Sequence, residues 1–193
     1  SKGFRDYFET RYPEVQYRYY TNGIDPEFIE AAPSQKTVLN QSDKLKVVYA
    51  GNIGEGQGLD KIVPELATDL KDEITFTIIG AGGRLKELSS KTQSLGNVSL
   101  KPPVKRSELI AEYKQADILF LHLNDYEAFK KVLPSKIFEY AALGKPVWAG
   151  VSGYAAEFLG ENVDNCAVFS PGDKDEAKIG RASCRKLSHC YPI

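Results

Sequence analysis

Six short apolar runs, at 46–52, 74–79, 98–101, 118–123, 146–149 and 163–169, alternate with helical patterns between them. The helical stretches are 59–70, 83–94, 107–115, a helix opening at Ser135 and stopping at Gly144, and 153–159. Strands separated by helix-length connections cannot pair as hairpins, so the pattern predicts a parallel sheet with helices on both faces. The run at 74–79 is too continuously apolar for an exposed edge, which suits a strand covered on both sides. The expected fold is α/β, a Rossmann-like doubly wound parallel sheet. Upstream, 4–12 reads as a short helix and 15–20 as a further strand with alternating apolar and polar residues. The polar stretch 31–44, with Pro33, Ser34 and Gln35, reads as a surface loop. Ser107 is the expected cap of its helix.

Composition excludes several classes. With 193 residues the chain can bury a core of ordinary size, and 42% apolar with 26% charged residues is globular. No run of eighteen apolar residues exists and no signal peptide is recognisable. A net charge of −1 without a basic stripe argues against a nucleic-acid partner. Of the three cysteines, Cys166 falls in an apolar strand, where a buried thiol is expected; Cys184 and Cys190, with His189, lack the fourth ligand and the spacing of a metal site. A reducing, cytoplasmic setting fits best. The absence of methionine leads us to expect an internal fragment or a processed product. The stretch from 179 to 193 has no helical stripe and holds two of the three cysteines, so it is expected to be a non-native or disordered tail.

The segment Leu133-Pro134-Ser135-Lys136-Ile137-Phe138-Glu139-Tyr140 carries the most chemistry. Ser135 suits a helix N-cap, and Ile137, Phe138, Ala141 and Ala142 form an apolar stripe. Lys136, Glu139 and Tyr140 share another face. A lysine beside free amides at a helix start suits a diphosphate, and a carboxylate one turn on suits a ribose diol. From spacing alone, an amphipathic helix with a solvated Lys–Glu pair is the more ordinary account. The turn Gly51-Asn52-Ile53-Gly54-Glu55-Gly56-Gln57-Gly58 also joins strand to helix, where backbone amides approach phosphate. It is no P-loop, because Gln57 stands where lysine is required, and neither it nor Gly80-Ala81-Gly82-Gly83 has the dinucleotide spacing. Tight strand-to-helix turns account for these glycines as well. His122 ends an apolar strand and is expected to be a structural hydrogen-bonder. Asp125 and Glu127 lie in the loop before the helix, where they either meet a sugar or are simply solvated.

Five segments, in this order, resemble family 4 glycosyltransferases of the GT-B fold: Asn22-Gly23-Ile24-Asp25, Val47 through Gly54 with Gln57-Gly58-Leu59, Phe76 through Gly82, Ala116 through Phe120, and the segment beginning at Leu133. The resemblance spans roughly 1–175 and implies the C-terminal, donor-binding half of such an enzyme. It divides the chain into an inter-domain segment at 1–15, a nucleotide-sugar-binding domain at 16–178 and the tail at 179–193. Lys136 and Glu139 are then the catalytic residues. Gly51, Asn52, Gly54, Gln57, Val104, Leu133, Pro134, Ser135 and Ile137 bind the donor, Val104 through its main chain beside the base.

The departures are specific. Asn52 and Gln57 replace phosphate-binding Arg and Lys, and Lys131 stands where an acidic residue is usual. The pattern resembles a subgroup acting on bacterial surface sugars. It implies retaining transfer of a sugar, UDP-linked, to a polysaccharide or lipid-linked acceptor, with no metal or other cofactor. Further implications are a missing N-terminal acceptor-binding domain, little activity in the fragment, and contact of the full protein with the inner membrane face. The competing readings are a non-catalytic nucleotide-binding or interaction module and a UDP-sugar epimerase.

Overall fold

The structure, a computed structural model, describes residues 1–31 and 44–190, with side chains described as far as 182. The polar loop expected at 31–44 therefore lies almost wholly outside the described residues. Six strands form one all-parallel sheet: β1 (Leu45–Asn52), β2 (Ile74–Ala81), β3 (Val98–Lys101), β4 (Ile118–His122), β5 (Val147–Gly150) and β6 (Cys166–Phe169). Their order is β3-β2-β1-β4-β5-β6, so the winding reverses between β1 and β4. That is the doubly wound Rossmann-like arrangement expected from the alternation.

Alternate side chains of each strand feed two separate cores. One face carries Val47, Tyr49, Phe76, Ile78, Phe120 and Trp148 under α3 (Leu59–Asp69), α4 (Leu85–Thr92) and the C-terminal helix. The other carries Val48, Ala50, Leu119, Leu121, Val147 and Ala149 under α5 (Arg106–Gln115), α6 (Lys136–Ala142) and α7 (Tyr154–Asn162). All five residues of β4 are buried, as a central strand with both faces covered requires. On the first face Phe76 and Phe120 meet edge-on at 5.6 Å, and Phe120 meets Trp148 at 5.1 Å. Such pairs add to the burial energy through the ring quadrupoles.

At the N-terminus, α1 (Arg5–Arg11) and α2 (Pro26–Glu30) are short. Phe28 of α2 is buried against Tyr113 of α5, and Asp25 forms an ion pair with Arg106. The segment 15–20 is not a strand. Its alternation serves packing on α1 instead: the Tyr17 hydroxyl donates to the carbonyls of Phe8 and Tyr12, both at 3.0 Å, while Val15 and Tyr20 stay 54% and 81% exposed. Nor does Ser107 cap α5. That helix begins at Arg106 with Lys105 in the cap position and no side-chain cap.

The C-terminal helix α8 spans Lys174–Cys190, so 179–190 is helical where the sequence suggested a stripe-less tail. Two contacts explain why the helix continues past 178. Gly180 lies close against Ala167 and Trp148, and Arg181 forms an ion pair with Glu73 at 2.6 Å. Three residues before Gly180, the Trp148 indole N–H donates to the Ala177 carbonyl at 3.0 Å. Among the described residues, no helix is long and apolar enough to cross a membrane.

Candidate functional site

In open parallel sheets, ligands bind beyond the C-terminal strand ends where the winding reverses. Here that place lies between the turn after β1 and the loop after β4, which leads into α6. Lys136 of α6 meets the end of β1 there, with Glu139, one turn further along α6, acting on it electrostatically. The Lys136 side chain lies across Gly51: a methyl group added at Gly51 would stand 2.6 Å from Lys136 Cε and 3.1 Å from the Tyr49 hydroxyl. Gly51 is also at φ 154°, a conformation other residues avoid. A side chain at this position would therefore push the lysine out of the crevice.

The Lys136 ammonium is half-buried and forms no ion pair or hydrogen bond with another described residue. Burial pulls its pKa below the ordinary lysine value, against the opposing attraction of Glu139. One oxygen of Glu139, Oε2, is buried without a hydrogen-bond partner. Buried polar atoms in folded proteins are nearly always paired, so an ammonium and a carboxylate oxygen left over in one crevice call for a polar ligand. Sequence spacing brought these two residues together correctly.

The start of α6 differs from expectation. Ser135 does occupy the cap position, but in helical geometry (φ −59°, ψ −27°), and its hydroxyl caps nothing. A capping side chain needs an extended backbone to reach back to the following amides. The Ile137 and Phe138 amides donate instead to the Pro134 and Ser135 carbonyls, at 3.2 and 3.0 Å. Ile137 is completely buried, so its side chain belongs to the core and its amide is taken. The amides of Ser135 and Lys136 have no acceptor among the described residues. Leu133 and Pro134 are half-buried, with Leu133 packed on the second core.

The glycine turn is organised internally. Gln57 Oε1 accepts from both the Asn52 side-chain amide (2.9 Å) and the Gly54 main-chain N–H (3.2 Å). Gly54, expected to offer its amide to phosphate, already uses it on Gln57. Among the described residues, no acceptor meets the N–H groups of Glu55 and Gly56 in this turn. Val104 is half-buried between β3 and α5, and its main chain bonds to no other described residue.

His122 is structural. Only 1% exposed, it donates from Nδ1 to the Gln57 carbonyl at 2.7 Å and accepts at Nε2 from the Gly172 N–H at 3.0 Å. Burial lowers its pKa to about 4, so the ring is neutral, as its acceptor role demands. Asp125 and Glu127 are exposed and both pair with Lys130, at 3.6 and 2.6 Å; Asp125 also accepts from Ser152. Sequence reasoning missed Asn124, Tyr126 and Phe129, which bear on the glycine turn from the loop after β4. Nothing in their local pattern signals it, because their partners lie about seventy residues earlier.

Comparisons with known proteins agree with this fold. Residues 32–181 match the family model for glycosyl transferases group 1. Over 138 residues the chain is 36% identical to a protein of Escherichia coli (strain K12) named as a colanic acid biosynthesis glycosyl transferase, WcaI; the match covers 69% of this chain and 32% of that protein. The chain thus spans about a third of the length of that relative. Among solved structures, Anabaena Alr3699/HepE in complex with UDP and glucose superposes with a TM-score of 0.60 at 19% identity, over 75% of this chain and 41% of the other. A mutant of S. aureus TarM, in complex with Fondaparinux, alpha-GlcNAc-glycerol and UDP, gives 0.62 at 16% identity, over 82% and 30%. A Rossmann-like sheet of this order, an unpartnered lysine at its reversal and a family match across most of the chain converge on one conclusion: the chain belongs to the group 1 glycosyl transferases.

Proposed function

We propose that this chain is the donor-binding part of a glycosyltransferase that transfers a sugar from a UDP-linked donor to a polysaccharide or lipid-linked acceptor, with retention. The observation that carries the reading is the Lys136 ammonium, desolvated over Gly51 and in no ion pair with a described residue, near the orphaned oxygen of Glu139. The solved relatives described with UDP, and the relative named for colanic acid biosynthesis, support the choice of donor and the class of product.

When the bond from sugar to diphosphate breaks, negative charge develops on the distal phosphate. Lys136 meets that charge in a site already stripped of much of its water. A preorganised donor of this kind contributes about 3 kcal/mol, more in the transition state than before it. The open amides of Glu55 and Gly56 add neutral donors. Glu139 accepts from the ribose hydroxyls and so fixes the nucleoside, a positioning contribution. Val104 offers main-chain groups to the base. The acceptor is bound by a further domain of the longer protein, at the membrane face when it is lipid-linked, and the chain alone turns over little donor.

Calorimetric titration with UDP tests the site: the unaltered chain binds, and a Lys136→Ala, Glu139→Ala double variant does not. Equal binding by both would remove the assignment. A second reading, a non-catalytic nucleotide-sensing module, is favoured by the neutral Asn52–Gln57 pair where relatives carry cations. UDP release from a UDP-sugar by the longer native protein would reject it.

A further inference from the structure

The turn after β1 is held from two sides: on the β2 side Ile53 bonds to Ala81 and Arg84 pairs with the Glu55 carboxylate at 3.6 Å, and on the β4 side its carbonyls are engaged. Three consecutive carbonyls of the turn, those of Glu55, Gly56 and Gln57, accept hydrogen bonds from the end of β4 and the residues after it. The Asn124 side-chain amide donates to Glu55, the Asn124 main-chain N–H to Gly56 at 2.8 Å, and His122 Nδ1 to Gln57 at 2.7 Å. The same loop adds the Tyr126 hydroxyl on the Glu55 carboxylate at 3.1 Å and the Phe129 ring over the α-carbon of Gly56. Gly58, at φ 58°, lies so close to the Asn124 side chain that a methyl group there would collide with it. With these carbonyls engaged on the β4 side, the turn keeps the Glu55 and Gly56 N–H groups free of acceptors among the described residues.

We propose that Asn124 is a positioning residue for the donor diphosphate: it pins the carbonyls of the turn so that the Glu55 and Gly56 amides stay available to the distal phosphate. This rests on the donor-site reading above and extends it to a residue that touches no ligand. Asn124 is the centre of the brace because it supplies two of the three bonds. His122 supplies the third but also holds Gly172, so changing it disturbs more than the turn.

The experiment compares UDP with UMP, titrated calorimetrically into the 193-residue chain and into an Asn124→Ala variant. Positioning at the distal phosphate predicts that the variant loses about tenfold in UDP affinity and less than twofold in UMP affinity. A Leu100→Ala variant, altered on β3 where its side chain packs on the first core away from the turn's hydrogen bonds, gives a comparable fall in melting temperature without changing the UDP-to-UMP ratio. Hydrogen exchange at Gln57 and Gly58, whose amides bond within the turn at 3.2 and 3.1 Å, rises in Asn124→Ala and not in Leu100→Ala. An unchanged ratio in Asn124→Ala, with UDP binding intact in the parent, would overturn this inference alone. A parent chain that binds no UDP would overturn the donor-site reading and this inference together.

Discussion

The two walls of the crevice are built on opposite principles. In the glycine turn after β1 most polar groups answer one another: Gln57 takes Asn52 and Gly54, while His122 and Asn124 take the carbonyls. Across from it, on α6, Lys136 has no ion pair or hydrogen bond with another described residue, and Glu139 Oε2 is buried without a partner. A satisfied wall gives shape, and an unsatisfied wall gives affinity. Ligand recognition is therefore expected to depend most on the few groups of α6, and less on the glycine-rich turn, which offers only the neutral amides of Glu55 and Gly56.

The largest effect that would break this contrast is on affinity. Removing the Lys136 ammonium as Lys136→Ala is expected to cost about 3 kcal/mol of UDP binding while leaving stability unchanged or raised, since an unpaired, half-buried charge is lost. If a substitution in the turn, Gln57→Ala, cost more affinity than Lys136→Ala, the contrast would be reversed.

Next comes the acid response of the satisfied wall. His122 has a folded pKa of about 4, below the 6.5 of an unfolded chain. The unfolded state therefore takes up the proton first. The stabilisation is complete above about pH 6.5 and is lost as pH falls toward 4, by about 3 kcal/mol in total. Urea unfolding at pH 7 and pH 4.5 should show this slope. A His122→Asn variant should flatten it over that window, because the lowered carboxylates of Asp69, Glu87 and Asp175 titrate below it.

A smaller effect separates binding from folding within α6. Glu139→Gln should reduce affinity for UDP by about 1–2 kcal/mol. It should affect 2′-deoxy-UDP less, a difference that calorimetry resolves. The smallest expectation is for Ser135→Ala. Because its hydroxyl caps nothing, the change should alter the melting point by less than the roughly 1 kcal/mol of a true cap.

Legibility followed the range of the forces involved. Strands β1 to β6 and their helices could be read because burial on two faces imprints a local pattern, apolar through β4 and β5 and alternating elsewhere. Lys136 and Glu139 could be read because one helical turn joins them. The misreadings occurred where local pattern and tertiary use diverge. Residues 15–20 alternate like a strand but spend that alternation on α1, and Pro134-Ser135 looks like a capped start while the backbone is already helical. Asn124 was invisible because its partners at 55 and 56 are brought to it only by the pairing of β1 with β4.

The seat of α8 on the sheet has a practical corollary for anyone trimming the chain. Trp148 relies on the Ala177 carbonyl for its indole hydrogen, and Glu73 on Arg181 for its counter-charge. A product cut before 177 would bare the largest ring of the interior along one flank and orphan its N–H, whereas a stop placed just after 182 would keep both anchors. The shortest sound domain thus ends where the helix has finished gripping the sheet, several residues beyond the last strand.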